Sequence, residues 1–299
     1  MDLGDDRTFA LSAARARLLA DVSLEATPKQ LAAVPDLAQR VPTGTAVYLP
    51  ALASVPEAAR VEAAAGLVAQ GLRPIPHLAA RRLAGPGELD ARLAAWREAG
   101  VADLLLIAGE PATPAGSFAS TLDVLATGLL ERHFIRRLGV AGHPEGHPIA
   151  DAATLMSALR AKLAYARATG AEMWIVTQFA FEGGPFTAFD ARLRAAGVDV
   201  PIRCGLPGPA TPRKLMAYAW QCGVGVSARV LARRPEAARL FGRWAPDAVV
   251  DALAAHRAAQ PASLVRGLHL YPFGGLAAAL DWLDDARARV VAPLAEVAP

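Results

Sequence analysis

The 299-residue chain has only two cysteines, Cys204 and Cys222, with no CxxC and no histidine pair beside them. That argues against a disulfide framework and against a structural zinc site, and predicts two reduced, buried thiols. No apolar run approaches the roughly 20 residues of a membrane span. The first ten residues, MDLGDDRTFA, are acidic where a signal peptide is basic, so a cytoplasmic chain with no membrane partner is expected. Charge of one sign is not in excess: 31 basic and 28 acidic side chains leave +3. The sequence pI of 9.1 comes from arginines spread along the chain rather than gathered in blocks, and nucleic-acid binding is not expected. There is no GxGxxG after a strand and no GxxxxGK[ST], so neither a dinucleotide fingerprint nor a P-loop is indicated. No linker or short repeat divides the chain, and a single domain is predicted over 1–299.

What the chain does have is apolar mass, 54% of its residues, in a regular alternation. At this length roughly 75% of the unfolded surface can be buried. Short β-branched or apolar runs alternate with longer alanine-, leucine- and arginine-rich stretches, the pattern of βα units around a parallel sheet. Eight runs read as strands: Val22 to Leu24, Ala46 to Leu49, Arg73 to His77, Asp103 to Ile107, Leu138 to Ala141, Met173 to Thr177, Pro201 to Cys204 and Gly267 to Leu270. Helices are predicted at Glu57 to Gln70, Gly87 to Glu98, Thr154 to Thr169, Phe186 to Ala195, Pro212 to Cys222 and Leu276 to Arg287. Thr211 before Pro212 reads as a helix start, and Gly71, Gly100 and Gly223 as helix stops. Eight strands, nearly all followed by a helix, predict an α/β fold of the (β/α)8 TIM-barrel type. Residues 223–266 read as an expanded seventh crossover.

A barrel of this type builds its active site at the carboxyl ends of the strands. The polar residues there are Glu25, Tyr48, His77, Glu110, His143 with His147, Gln178, and His269 with Tyr271. Four of the six histidines fall in this set, with His133 and His256 outside it. Singly, each has a plain alternative: a solvated loop glutamate for Glu25, a satisfied core histidine for His77, a loop-tying amide for Gln178. Two chemistries compete for the joint pattern. A metal hydrolase would gather histidines and carboxylates, but the first strand ends in Leu24-Glu25 without HxH, and Pro144 and Pro148 break the helix that His143-x-x-x-His147 would need. No metal is therefore expected. A large planar ligand across the strand ends agrees better with the glycines of the strand-end loops, Gly142, Gly146, Gly183-Gly184, Gly205, Gly208 and Gly274-Gly275, which let a flat ring meet backbone.

The strand-end segments resemble the methylenetetrahydrofolate reductase family. Leu24-Glu25-Ala26-Thr27-Pro28 is similar to its first strand end, His77-Leu78 to its third, Gly109-Glu110 to its fourth and Thr177-Gln178-Phe179 to its sixth. The most specific likeness is Leu138-Gly139-Val140-Ala141-Gly142-His143-Pro144-Glu145-Gly146-His147-Pro148, which resembles the family's Val-Ala-x-Tyr-Pro-Glu-x-His-Pro loop. Gly205-Leu206-Pro207 and His269-Leu270-Tyr271 match the seventh and eighth strands, in the family's order.

The resemblance implies an enzyme that passes hydride from NAD(P)H through FAD to 5,10-methylenetetrahydrofolate, giving 5-methyltetrahydrofolate. In that reading Glu25 matches the general acid that helps open the imidazolidine ring. Glu110 matches an acid beside flavin and pterin, and Gln178 and Tyr271 match folate contacts. Tyr48, His77, Ala108, Gly109, His143, His147 and Lys162 match cofactor positions. A glutamate shielded by an apolar strand would have a raised pKa and keep a proton near neutral pH. Family members commonly associate, so the resemblance is compatible with a homo-oligomer.

The departures bear on the flavin. Ala108-Gly109-Glu110 stands where Arg-Gly-Asp is frequent, Ala161 replaces a second basic residue beside Lys162, and His143 replaces a tyrosine. Arginine's bidentate grip on phosphate is not replaced by alanine. A flavin-free reductase using NADH directly therefore stands beside the FAD reading, as do a folate-dependent methyltransferase and a non-catalytic folate- or flavin-binding partner subunit.

Overall fold

The computed structural model describes residues 3–109, 113–148, 150–221 and 244–295. Eight strands, β1 (Val22–Glu25), β2 (Ala46–Leu49), β3 (Arg73–Ala79), β4 (Asp103–Ile107), β5 (Arg137–Gly142), β6 (Glu172–Phe179), β7 (Ile202–Pro207) and β8 (Val265–Tyr271), close a barrel in chain order. The (β/α)8 expectation is met, strand for strand. β1 pairs with β2, β2 with β3, β3 with β4, β4 with β5 and β7 with β8, all in parallel. Parallel strands are covered on both faces, which is why Leu104-Leu105-Leu106 of β4 reads as a continuous apolar run rather than an alternating one.

The strands run further than predicted at their carboxyl ends: β3 to Ala79, β6 to Phe179 and β7 to Pro207. Several of the extra residues are polar or glycine and proline, types that propensity assigns to loops, and they keep strand geometry because neighbouring strands pair with them. Gly205, for example, pairs with His269, and Pro207 with Tyr271.

The predicted helices are present, with shifted ends: Glu57–Ala69, Pro86–Glu98, Ala152–Thr169, Gly184–Ala195, Pro212–Gln221 and Leu276–Ala295, joined by Asp247–Ala259 within the long crossover. Pro86–Glu98 shows why they dock: Leu89, Leu93 and Trp96, spaced by about one and two turns, are its buried residues. Asp151 caps Ala152–Thr169 by accepting the Thr154 N–H at 2.7 Å. A long helix before β1, Leu3–Ala20, was not legible, because its alanine-rich sequence carries no marked apolar stripe. It is tied to Asp247–Ala259 through Arg15 Nε, 2.9 Å from Asp251. Cys204 is a buried, free cysteine; Cys222 lies outside the described residues, as do residues 223–243 of the expanded seventh crossover, Gly223 among them.

The chain divides into two compact units, one of Met1–Ser23, Gly142–Pro148 and Val176–Pro299, the other of Leu24–Ala141 and Ile149–Ile175. In the first, Asp190 sits on the inner stripe of Gly184–Ala195 with Phe186, Phe189 and Leu193. Its shielded carboxylate accepts the Leu264 N–H at 2.7 Å and faces His256 Nε2 at 2.8 Å and Arg194 Nε at 3.2 Å. Burial acts to raise its pKa, but the three donors prevail and hold it below the usual carboxylate range. In the second unit, His133 Nε2 meets Asp90 at 2.7 Å, so both histidines outside the strand-end set tie elements together.

Asp190→Ala should lower stability by roughly 3–5 kcal/mol, because His256, Arg194 and the Leu264 N–H lose their common partner. Since the folded pKa is depressed, this contribution is complete above the unfolded carboxylate pKa and disappears as pH falls through the folded one. Denaturant unfolding of the two proteins should thus show a gap at neutral pH that closes in acid. A gap of the same size at every pH would contradict the charged-acceptor role.

Candidate active site

In the unit containing Leu24–Ala141, the register Glu25↔Tyr48 places a carboxyl and a phenol side by side at adjacent strand ends. From β3, His77 Nε2 lies 3.4 Å from Glu25 Oε2, and the Glu25 side chain retains 17% of its exposure. The Tyr48 ring stands edge-on to His77 with centroids 6.0 Å apart. Tyr48 is fully buried, and its hydroxyl accepts the Trp174 indole N–H at 2.7 Å. Burial pushes the Glu25 pKa up and the neighbouring His77 pulls it down; the net direction is up. A carboxyl held in this way keeps its proton to higher pH than a free glutamate and can act as a general acid.

The same unit holds Tyr48, His77, Ala108, Gly109 and Lys162 of the residues that the resemblance assigns to a cofactor. Ala108 is exposed, and Gly109 follows it at φ +76°, a conformation that favours glycine. Glu110 lies outside the described residues. Lys162, half-buried on Ala152–Thr169, is lowered to about 8 by burial and has no ion-pair partner among the described residues.

The other unit holds Gln178, Tyr271, His269, His143 and His147. Gln178 is half-buried near the end of β6. Beside it, Thr177 Oγ1 accepts the Gly205 N–H at 2.8 Å, and the Tyr271 hydroxyl donates to the Thr177 carbonyl at 2.9 Å. Gly205 is needed for close approach: a Cβ there would lie 2.5 Å from the Thr177 carbonyl oxygen and 2.8 Å from the Tyr271 ring. His269 is fully buried, with Nδ1 3.0 Å from the Ser23 hydroxyl, and burial lowers its pKa to about 3, so it is a neutral ring at physiological pH. His143 and His147 meet edge to face at 5.0 Å in a loop with turns rather than a helix, as Pro144 and Pro148 imply. Arg192 donates to the Pro144 carbonyl at 3.0 Å and anchors that loop.

Three groupings follow: Glu25 with His77 and Tyr48, His269 with Tyr271, and His143 with His147. Sequence reasoning missed Trp174, Arg60 and the aromatic shelf in which Phe273 stacks on Tyr218 at 4.1 Å and on Tyr271 at 5.7 Å. A signal for Arg60 did exist: with Ala64 and Leu67 it completes the buried stripe of Glu57–Ala69, where a charge needs a partner.

FAD would need cations for its pyrophosphate. Ala108 supplies none, and Lys162 is a single amine weakened by burial. The space beside Gly109 is taken by the chain itself, since a Cβ there would meet Ala79 Cβ at 2.7 Å. At these positions no arginine offers the two-pronged grip on phosphate that a guanidinium gives. Among the described residues, no three or more His, Cys, Asp or Glu side chains gather as a metal site, and no helix is long and apolar enough to cross a membrane.

A closed parallel barrel with a buried carboxyl–imidazole pair at its strand ends has the architecture of a barrel enzyme. The family model for methylenetetrahydrofolate reductase matches residues 23–271, and the chain belongs to that family, one of folate-related oxidoreductases. Among solved structures, a protein described as a lyase/mutase from Burkholderia cenocepacia is 16% identical, with a TM-score of 0.45, covering 99% of this chain and 89% of that one. Dihydropteroate synthase from Thermus thermophilus is 15% identical, with a TM-score of 0.44 and coverages of 88% and 92%. The 7,8-dihydropteroate synthase from Vibrio fischeri is 10% identical, with a TM-score of 0.45 and coverages of 94% and 96%. Scores this low carry no weight for ligands or activity.

Gly205→Ala should destabilise the protein by roughly 1–3 kcal/mol, as overpacking does, because the new methyl meets a carbonyl that cannot move without breaking the Tyr271 contact. Thermal unfolding checks this, and an unchanged midpoint would mean that the Thr177–Tyr271 contact is loose.

Proposed function

We propose that this chain reduces 5,10-methylenetetrahydrofolate to 5-methyltetrahydrofolate with a reduced nicotinamide, NAD(P)H, as hydride donor and Glu25 as the general acid. The observation that carries this reading is the enclosed carboxyl of Glu25 beside His77 in a chain of this family. Glu25 delivers its proton to a ring nitrogen of the imidazolidine, the carbon–nitrogen bond opens, and the one-carbon unit becomes an iminium. Hydride adds to that carbon, and the nicotinamide leaves oxidised. Gln178 is proposed as a folate-contacting amide and Tyr271 as a second substrate contact. Glu110, by its resemblance to the family's acid, is proposed as a further carboxylate at the reaction.

The absence of a guanidinium at Ala108 and of a second base at Ala161 favours transfer from the nicotinamide without a bound flavin. In the second reading FAD would carry the hydride, with the half-buried Lys162 as the one cation kept at the family's basic positions. His143 and His147 belong to that reading as ring contacts. The protein is proposed to act in the cytoplasm, without nucleic acid or membrane, as a monomer or a homo-oligomer.

Glu25→Gln should retain folate binding and lose most of the reductase activity, about 10²–10⁴-fold for a general acid. In the wild type the reductive rate should hold at low pH and fall as pH rises through the raised Glu25 pKa. Near-normal turnover of the variant removes Glu25 from the acid role. The visible spectrum of the purified protein separates the two hydride routes: a colourless preparation that oxidises NADH with methylenetetrahydrofolate supports direct transfer, and a yellow one bleached by NADH supports FAD.

A further inference from the structure

Arg60 is the largest charged side chain sealed in the interior among the described residues, 2% exposed, on the inner face of Glu57–Ala69. One of its terminal nitrogens, Nη2, donates to two backbone carbonyls, Leu49 at 3.1 Å and His77 at 2.6 Å. The other, Nη1, holds Glu57 at 2.8 Å, and the guanidinium lies over the Trp96 ring at 5.2 Å. Glu57 is braced in turn by Arg92 at 3.4 Å. A guanidinium built in from four sides is a rigid donor.

The two carbonyls mark the place where β3 needs such a donor. β2 ends at Leu49, which pairs with Pro76, so β3 continues through His77 past the end of its β2 partner. Pro74 and Pro76 also lack the N–H groups that would pin the strand below His77. On its β2 side the backbone that carries the His77 ring thus lacks a strand partner, while β4 pairs with it on the other side, His77 opposite Leu105.

We infer that Arg60 is a positioning residue for the acid: by clamping the carboxyl ends of β2 and β3 together, it holds the His77 imidazole against Glu25. The inference rests on Glu25 being the acid. The clamp works at a distance, since Arg60 touches the His77 backbone and the His77 ring touches Glu25. Among the described residues the titratable neighbours include Tyr48, edge-on to His77, and, behind the clamp, Glu57, Arg92 and Arg82. His77 opposes the upward push of burial on Glu25, so a His77 ring released from its place leaves the Glu25 proton harder to remove.

The test is the pH profile of kcat/KM for methylenetetrahydrofolate reduction in wild type, Arg60→Met, Arg60→Lys, His77→Gln, the Arg60→Met/His77→Gln double variant and Glu25→Gln. Arg60→Met should move the limb on which activity falls with pH upward by roughly half a pH unit or more, a change of about threefold in the protonated fraction beyond the limb. Arg60→Lys, which keeps a cation but not the planar fork, should fall between wild type and Arg60→Met, and it carries the test if Arg60→Met does not fold. With His77 already replaced, Arg60→Met should move the limb no further. A uniform loss at every pH, or an equal displacement with and without His77, overturns the positioning role and leaves the acid assignment standing. Near wild-type turnover of Glu25→Gln removes the acid assignment, and the positioning role with it.

Discussion

Much of this molecule follows from one constraint: polar groups enclosed by the barrel and its helices must find partners there. An unpaired buried charge or backbone group costs more than a typical hydrogen bond returns. The chain meets this by setting single charged residues into otherwise apolar helix stripes. Arg60 reaches the carbonyls of Leu49 and His77, and Asp190 reaches the Leu264 N–H. Arg257 likewise donates to the Val265 carbonyl at 2.6 Å and Arg287 to Leu19 at 3.0 Å. At the strand starts, Asp103 is sealed between Arg73 at 3.3 Å and Arg137 at 3.4 Å, and burial still leaves its pKa raised.

The Glu25–His77 pair obeys the same rule with a different outcome. At Asp190 the donors overcome burial; at Glu25 burial overcomes the imidazole. One carboxyl is thereby held toward its charged form and the other pushed toward its protonated form, although each faces a histidine. The difference lies in what surrounds each carboxyl. Asp190 gathers a backbone N–H, an imidazole and a guanidinium, whereas at Glu25 the attraction set against burial is that of His77.

The fold was legible because barrel strands are covered on both faces and therefore spell themselves as apolar runs, as in Val47-Tyr48-Leu49 and Leu104-Leu105-Leu106. The ends of strands were less legible, since Ala79, Gly205 and Pro207 hold strand geometry through pairing rather than propensity. The short helices Pro28–Ala32 and Thr121–Leu125 gave no periodic signal over so few residues, although Thr27 and Ser120 cap them in the expected manner. At the site, the residue types and their places at strand ends could be read directly. The partner of each could not: nothing in the sequence pairs Tyr48 with Trp174, 126 positions away, or Thr177 with Gly205 and Tyr271. Arg60 was readable in principle as a charge on an apolar stripe, but its targets are backbone carbonyls, which leave no mark in a sequence.

The account turns on the protonation state of one side chain, and carbon-13 NMR of the labelled glutamate carboxyls, with Glu25→Gln to assign the signal, reads it directly. The Glu25 resonance should titrate above the ordinary glutamate range, as burial dictates. A Glu25 carboxyl that ionises with the exposed glutamates would contradict the claim that this barrel stores a proton at the end of its first strand.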